Sequence, residues 1–208
     1  MHMKNVSSVN ASHTATATSA LENFEYVEGD LITMANAGEF DVIFHGANCM
    51  HTMGSGVAKA IRVNWNGNAA RADQNETIKG DPSKMGQLTK AVCQNHSGQS
   101  FVVANLYTQY GYNPDPEFLN FSITALQRAL TDLLTQFPDP TLRFGFPKIG
   151  AGLGGGDWEE ISKVINDCFA PENRHPLLAL DTDSWMNGVA YHAKFKMPKC
   201  VVLPGDSA

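Results

Sequence analysis

The sequence predicts an α/β protein, built as a three-layer α/β/α sandwich around a central sheet that is mixed but mostly parallel. Two observations predict this fold. From about Phe24 onward, short runs rich in β-branched and aromatic residues alternate with segments of helical periodicity. Several of the runs are almost continuously apolar, which is typical of strands that are buried on both faces of a sheet.

The strand candidates are the apolar runs themselves. In chain order they are FEYV, DVIFHGA, the end of a segment that closes in LTKAVC, SFVVANLY and LRFGFP. Two later runs also qualify, LLAL at 177–180 and CVVL at 200–203. The sequence does not decide which of these two completes the sheet.

Three helices are predicted. The longest covers 118–137, where apolar residues recur at i, i+3, i+4 and i+7, and Pro138 marks its end. A second helix runs from about Gly56 to Trp65 with its apolar residues facing inward. A third begins at Asp157, which has the form of a capping box with Glu160 three residues later.

Length and composition indicate one domain after a short tail. Of the 208 residues, 43% are hydrophobic, enough for one sizeable core without disulfides or metal. Residues 1–20 are rich in Ser, Thr, Ala and Asn and carry no periodic apolar face, so we predict a flexible tail there and a single domain over 21–208. The net charge of -6 argues against a general nucleic-acid surface.

The remaining compositional features indicate a cellular setting. No apolar run approaches the roughly 18 residues of a membrane span, and the start of the chain lacks the apolar middle of a signal peptide. The four cysteines are widely spaced with no C-x-x-C pattern, as expected for reduced thiols. We therefore expect a cytoplasmic monomer without membrane contact.

Two glycine-rich loops carry the strongest functional pattern. The first, which we call loop 1, covers 48–57 after the DVIFHGA run, and the second, loop 2, covers 148–157 after LRFGFP. Glycines let backbone N–H groups approach and surround an anion beside a helix N-terminus, which would make a pyrophosphate site without net positive charge. The alternative is that the glycines only form tight turns or close packing contacts. The P-loop pattern GxxxxGK[ST] is absent.

Three segments together resemble the macro domain family. They are GDLI at 29–32, HGAN at 45–48 running into GSGVA at 54–58, and IGAGLGGGDW at 149–158. The resemblance covers about residues 24–169 and is nearest in kind to the branch that includes ADP-ribose 1''-phosphate phosphatases and ADP-ribosyl-glutamate hydrolases. It implies a macro domain fold and a ligand that is ADP-ribose or a derivative such as ADP-ribose 1''-phosphate.

The resemblance also implies roles for individual residues. Asp30 would accept a hydrogen bond from the adenine amino group, although a Gly-Asp pair is also typical of a turn or helix cap. Asn48 would orient the distal ribose, loop 1 would cover the pyrophosphate and distal ribose, and loop 2 would wrap the phosphates. The implied ligand-binding residues are Gly29, Asp30, Leu31, Asn48, Gly54, Ser55, Gly56, Val57, Ile149, Gly150, Ala151, Gly152, Leu153 and Gly154.

The candidate catalytic residues are His45, Asn48 and Asp157. The near-neutral reference pKa of a histidine suits His45 to proton transfer or to contact with a terminal phosphate. The alternative is a buried strand histidine whose hydrogen bonds are satisfied. Asp157 would polarise a water near the distal ribose, or would only cap its helix. Gln109 and Gly154 stand where the lysine-adduct hydrolases carry their lysine and aspartate, which argues against a lysine-adduct mechanism.

The predicted function is therefore hydrolysis at the distal ribose, removing the 1''-phosphate from ADP-ribose 1''-phosphate. Two alternatives stay open: a module that binds ADP-ribose without turnover, and a hydrolase that removes ADP-ribose from protein or nucleic acid. No cofactor is implied. No metal site is predicted, because the histidines and cysteines show no ligand spacing.

Overall fold

The computed structural model describes residues 23–113, 120–170 and 196–206. Three of the predictions fall elsewhere in the chain: the tail at 1–20, the helix start at Phe118 and the strand candidate at 177–180. No helix in the described ranges is long and apolar enough to cross a membrane.

Within the described ranges, six strands form one sheet in the order β1-β6-β5-β2-β4-β3. Neighbouring strands are parallel except β3, which runs antiparallel to β4. The predicted mixed, mostly parallel sheet is confirmed, and the CVVL run supplies β6 between β1 and β5. The strands are β1 Glu25–Glu28, β2 Val42–Asn48, β3 Leu88–Gln94, β4 Ser100–Gln109, β5 Phe144–Pro147 and β6 Lys199–Val202.

The helices are α1 Leu31–Asn36, α2 Gly56–Asn64, α3 Asn68–Glu76, α4 Ile123–Gln136 and α5 Trp158–Cys168, with a 3-10 turn at Pro82–Lys84. The predictions of α2 and α5 are confirmed. The prediction of a helix over 118–137 is wrong for residues 120–122, because Ser122 caps α4 and Phe121 precedes the cap. Asp157 caps α5 as predicted. Its carboxylate accepts from the N–H of Glu159 at 2.9 Å, and not from Glu160 as a capping box would require.

Helices cover both faces of the sheet. On one face α1, α2 and α3 pack against residues such as Ile43 and Val103, and on the other face α4 and α5 pack against residues such as Phe44 and Phe146. Successive residues of a strand point to opposite faces, so the continuous apolar run of β2 serves both cores. This arrangement confirms the three-layer prediction.

Candidate functional site

Loops 1 and 2 leave neighbouring strands at the same edge of the sheet. β2 and β5 are paired in parallel, with Val42 opposite Phe144, so their carboxyl ends lie side by side. The helices that follow them, α2 and α5, lie on opposite faces. A pair of adjacent parallel strands whose connections diverge in this way opens a crevice at their carboxyl ends, where α/β proteins bind ligands.

The first part of loop 1 is closed by the amide of Asn48. Its Oδ1 accepts from the N–H of Met50 at 2.9 Å and of Thr52 at 3.3 Å, and its Nδ2 donates to the carbonyl of Thr52 at 3.0 Å. His51 within this turn has a φ of +57°, in the left-handed region. The amide that is expected to orient the distal ribose thus also shapes the loop, and its ligand role stays a prediction.

The second part of loop 1 presents unbonded N–H groups. Among the residues described, the amides of Gly54, Ser55, Gly56 and Val57 donate to no protein acceptor. Ser55 occupies the N-cap position of α2, but its side chain makes no capping bond. A Cβ added at Gly54 or Gly56 would meet no atom within 4 Å, so these glycines face open space. Free amides at the start of a nine-residue helix are suited to an anion.

Loop 2 folds back on itself. The carbonyl of Gly150 accepts from the N–H of Gly156 at 2.9 Å, and the carbonyl of Gly152 accepts from the N–H of Gly155 at 3.0 Å. Gly150 has a φ of +78°, and a Cβ there would lie 2.4 Å from the ring of Phe121. Close packing therefore explains why some positions of loop 2 are glycine, which is the alternative to anion binding given under Sequence analysis.

The tip of loop 2 is different. In the part of the chain that the structure describes, the amides of Ala151, Gly152, Leu153 and Gly154 donate to no protein acceptor. Gly152 faces open space and Leu153 is exposed, whereas Ile149 is buried beneath the loop. Loop 2 thus offers a second run of free N–H groups on the strand next to loop 1.

Asp30 follows β1 and caps α1. Its Oδ1 accepts from the backbone N–H and the hydroxyl of Thr33, at 2.8 and 2.7 Å. One carboxylate oxygen of Asp30 therefore acts as a helix cap, as the alternative interpretation predicts. The residue itself is exposed to solvent. It borders an open depression of about 490 Å³ between α1 and α2, which does not include the glycine loops. Next to it, Gly29 packs against Met34 and Leu31 is buried in the core.

His45 is fully enclosed on β2. Its Nε2 lies 2.8 Å from Oδ1 of Asn105, and its Nδ1 lies 2.9 Å from the carbonyl of Gly46. The side chain is 0% exposed, so its ring does not reach the surface of the crevice. This geometry matches the alternative of a buried strand histidine with satisfied hydrogen bonds, and a catalytic role for His45 stays a prediction.

The burial of His45 predicts a pH dependence of stability. Burial lowers the pKa of its imidazole, and the hydrogen bonds to Asn105 and Gly46 offset part of that effect. As the pH falls, the unfolded chain therefore takes up this proton before the folded chain does. The free energy of unfolding is highest above the unfolded pKa of about 6.5, and it decreases as the pH falls from that value towards the folded pKa. Below about pH 6, we expect the free energy of unfolding to fall by up to ~1.4 kcal/mol per pH unit on this account.

Urea unfolding between pH 7 and pH 5 measures this slope. His45→Asn removes the titrating group and keeps a polar side chain of similar reach, so its slope should be shallower than that of the parent protein. Equal slopes would show that His45 does not titrate differently in the folded and unfolded states.

Asp157 is exposed at the start of α5, directly after loop 2. Its Oδ1 accepts a hydrogen bond from the N–H of Glu159, and its Oδ2 accepts no hydrogen bond from the residues described. Nearby, the ammonium of Lys148 lies 5.7 Å from the ring centroid of Trp158. Asp157 is therefore a helix cap with one carboxylate oxygen left available for another donor.

The structure also bears on nucleophiles and metals. All four cysteines are buried free thiols, and burial raises the pKa of Cys49 in loop 1, which makes it a poor nucleophile. Over the described ranges, no group of three His, Cys, Asp or Glu side chains is placed to hold a metal ion. Gln109, at the lysine-adduct position, donates its side-chain amide to the carbonyl of Gly111 at 2.8 Å.

Comparisons with known proteins place the chain in a family. No family model matches it. An uncharacterised 17.5 kDa protein from the tk-vs intergenic region of phage T4 is 34% identical over 149 residues, which span 68% of this chain and 87% of the phage protein. An ADP-ribose 1''-phosphate phosphatase of Candida albicans is 26% identical over 149 residues, spanning 69% of this chain and 92% of the phosphatase.

Solved structures share the fold. The macrodomain of Mycobacterium tuberculosis DarG is 16% identical with a TM-score of 0.55, covering 88% of this chain and 98% of that one. The macrodomain of Thermus aquaticus DarG is 18% identical with a TM-score of 0.53, covering 86% and 97%. The chain thus has the α/β fold of the macrodomains. The chain belongs to the macro domain family.

Proposed function

We propose that this protein binds ADP-ribose derivatives at the carboxyl edge of its sheet and hydrolyses ADP-ribose 1''-phosphate to ADP-ribose and phosphate. The observation that carries the proposal is the pair of free-amide runs on loops 1 and 2, on adjacent strands. Eight amide groups, four on each loop, donate to no acceptor among the residues described, and the two loops leave neighbouring strands at the same edge of the sheet. Such an arrangement favours an anionic ligand such as a pyrophosphate over an apolar one.

The order of the strands supports an extended ligand. Asp30 follows β1, and β1 is three strands from β2 in the sheet. At a strand spacing of about 4.8 Å, Asp30 lies about 14 Å along the edge from Asn48. Adenosine, two phosphates and a second ribose can bridge this span, with adenine at Asp30, the phosphates at the loops and the distal ribose near Asn48.

The reaction needs a water molecule placed at the distal phosphate. Its oxygen attacks phosphorus, the bond between phosphorus and the oxygen on C1'' breaks, and that oxygen takes up a proton from solvent to become the hydroxyl of ADP-ribose. Oδ2 of Asp157 is a free acceptor at the crevice edge and can take a proton from the water. Holding both reactants in place supplies the rest of the acceleration. The similarity to the Candida albicans phosphatase supports this choice of substrate.

One set of assays tests the proposal. The protein is incubated separately with ADP-ribose 1''-phosphate, ADP-ribosylated protein and ADP-ribosylated DNA, and released phosphate or ADP-ribose is measured. We expect phosphate from the first substrate. Release of ADP-ribose from a macromolecule instead would favour the de-ADP-ribosylating alternative, and tight ADP-ribose binding with no turnover would favour the binding module.

Calorimetry with ADP-ribose and AMP tests the roles of loops 1 and 2, since equal affinities for the two ligands would contradict their proposed roles.

Substitution of Asp30 separates its two roles. Asp30→Ala loses the cap, which costs about 1 kcal/mol of stability. It also loses the proposed bond to the adenine amino group, which costs on the order of 1.5–3 kcal/mol of ADP-ribose affinity, at least about tenfold. Asp30→Asn keeps the cap and should lose affinity with little change in stability. A variant Asp30→Ala that is less stable but binds ADP-ribose as the parent does would leave Asp30 as a cap alone.

A further inference from the structure

A cluster of buried polar side chains lies beneath loop 1, and none of its members is among the ligand-binding or catalytic residues proposed above except through loop 1 itself. Its centre is Asp73 on α3, whose Oδ1 accepts from Nζ of Lys84 at 2.8 Å and from the hydroxyl of Tyr107 at 2.6 Å. Asp73 and Lys84 are 3% and 2% exposed. Burial, with Asp73 beside it, raises the pKa of Tyr107, so its hydroxyl remains a donor. Charged groups are rarely buried this deeply, and sequence analysis did not find them.

Two contacts join this cluster to loop 1. Nζ of Lys84 donates to the carbonyl of Cys49 at 3.4 Å. Nε2 of His51 lies 2.8 Å from the hydroxyl of Thr77 and 3.4 Å from Oδ1 of Asp73. The left-handed φ of His51 is unfavourable for a residue with a Cβ, and these ring contacts hold it there. Loop 1 is thus fixed from below at two points, just before its free amides.

We propose that Asp73, Thr77, Lys84 and His51, which we call the anchor cluster, position loop 1 for its ligand. They hold residues 49–52 so that the amides of 54–57 meet the pyrophosphate and the distal ribose without further ordering. This inference rests on the proposed function. A loop that is already ordered binds more tightly, because binding then costs less conformational entropy. These are positioning residues, since they act through the loop and are not expected to touch the ligand.

The ratio of two affinities tests the proposal. Lys84→Met keeps most of the side-chain volume and removes Nζ, and calorimetry gives Kd for ADP-ribose and for AMP. AMP lacks the second phosphate of the pyrophosphate and the distal ribose that loop 1 is proposed to cover. We expect the preference for ADP-ribose over AMP to fall at least threefold, mainly through a weaker Kd for ADP-ribose. A partly unfolded variant would weaken both apparent affinities equally, so a smaller change in the ratio overturns the proposal.

A milder variant and a matched control complete this test. Thr77→Val removes only the hydroxyl that contacts His51, and it decides the question if Lys84→Met does not fold. Asp41→Asn is the control, because Asp41 pairs with Arg143 at 2.7 Å where β2 and β5 begin, at the opposite edge of the sheet. It should lower stability and leave the ratio unchanged. A control that changes the ratio as much as Thr77→Val does would overturn the proposal.

Hydrogen exchange separates this inference from the proposed function. If the parent protein binds neither ligand, the proposed function fails, but the anchoring of loop 1 remains measurable. In Thr77→Val we expect the hydrogen-bonded amides of Cys49, Met50 and Thr52 to exchange at least fivefold faster, with those of α4 unchanged as an internal reference. Exchange at the parent rate in both segments would show that the anchor cluster does not hold loop 1.

Discussion

Gly154→Ala should raise the Kd for ADP-ribose on the order of a hundredfold. A Cβ at this position would lie 2.6 Å from the carbonyl oxygen of Gly150, a backbone atom that is itself bonded to the N–H of Gly156. The tip of loop 2 must therefore move, and its free amides lose their arrangement. Losing one or two charge-assisted hydrogen bonds to phosphate costs about 3 kcal/mol, which is roughly a hundredfold in affinity.

Calorimetry measures this change, and Gly98→Ala provides the control. Gly98 lies in the turn between β3 and β4 at the other end of the sheet, with a φ of +80° and no atom within 4 Å of an added Cβ. An alanine there costs about 1–2 kcal/mol of stability because of its left-handed conformation, and it leaves Kd unchanged. If Gly154→Ala binds ADP-ribose as the parent does, loop 2 does not hold the phosphates.

Sequence patterns predicted the parts of the fold where apolar periodicity is strong. The continuous run of β2 and the amphipathic faces of α4 and α5 each correspond to a buried surface, and burial is what such patterns report. Apolar periodicity did not predict the start of α4, because a polar capping residue sets where that helix begins. Phe121 extends the periodicity of α4, yet Ser122 caps the helix after it, and Phe121 instead packs under Gly150.

The missed helices have similar causes. α1 has six residues, too few to show a period. α3 is polar along most of its length and buries only Ala69 and Asp73. A buried aspartate cannot be recognised from sequence, because its partner Lys84 lies 11 residues away in an unrelated turn. The glycine loops could therefore be predicted from sequence, because their residue types are unusual, whereas the polar cluster that supports loop 1 could not.

Asp157→Asn keeps the cap of α5, since an asparagine oxygen can still accept from the N–H of Glu159, but it cannot take a proton from water. A positioned general base contributes about 10²–10⁴-fold. We therefore expect kcat for ADP-ribose 1''-phosphate to fall by about that factor, with the Kd for ADP-ribose nearly constant. Phosphate release and calorimetry on the same preparation provide both numbers.

His45→Asn is the companion variant, because it separates the two groups proposed for catalysis. The ring of His45 is enclosed and occupied by Asn105 and Gly46, so a direct role in proton transfer requires it to exchange these partners for the ligand. A loss of kcat comparable to that of Asp157→Asn would show that it does. A kcat within about tenfold of the parent would leave His45 as a structural residue of β2. If both variants turn over substrate at the parent rate, neither side chain moves the proton, and the reaction depends on the backbone amides of the two loops.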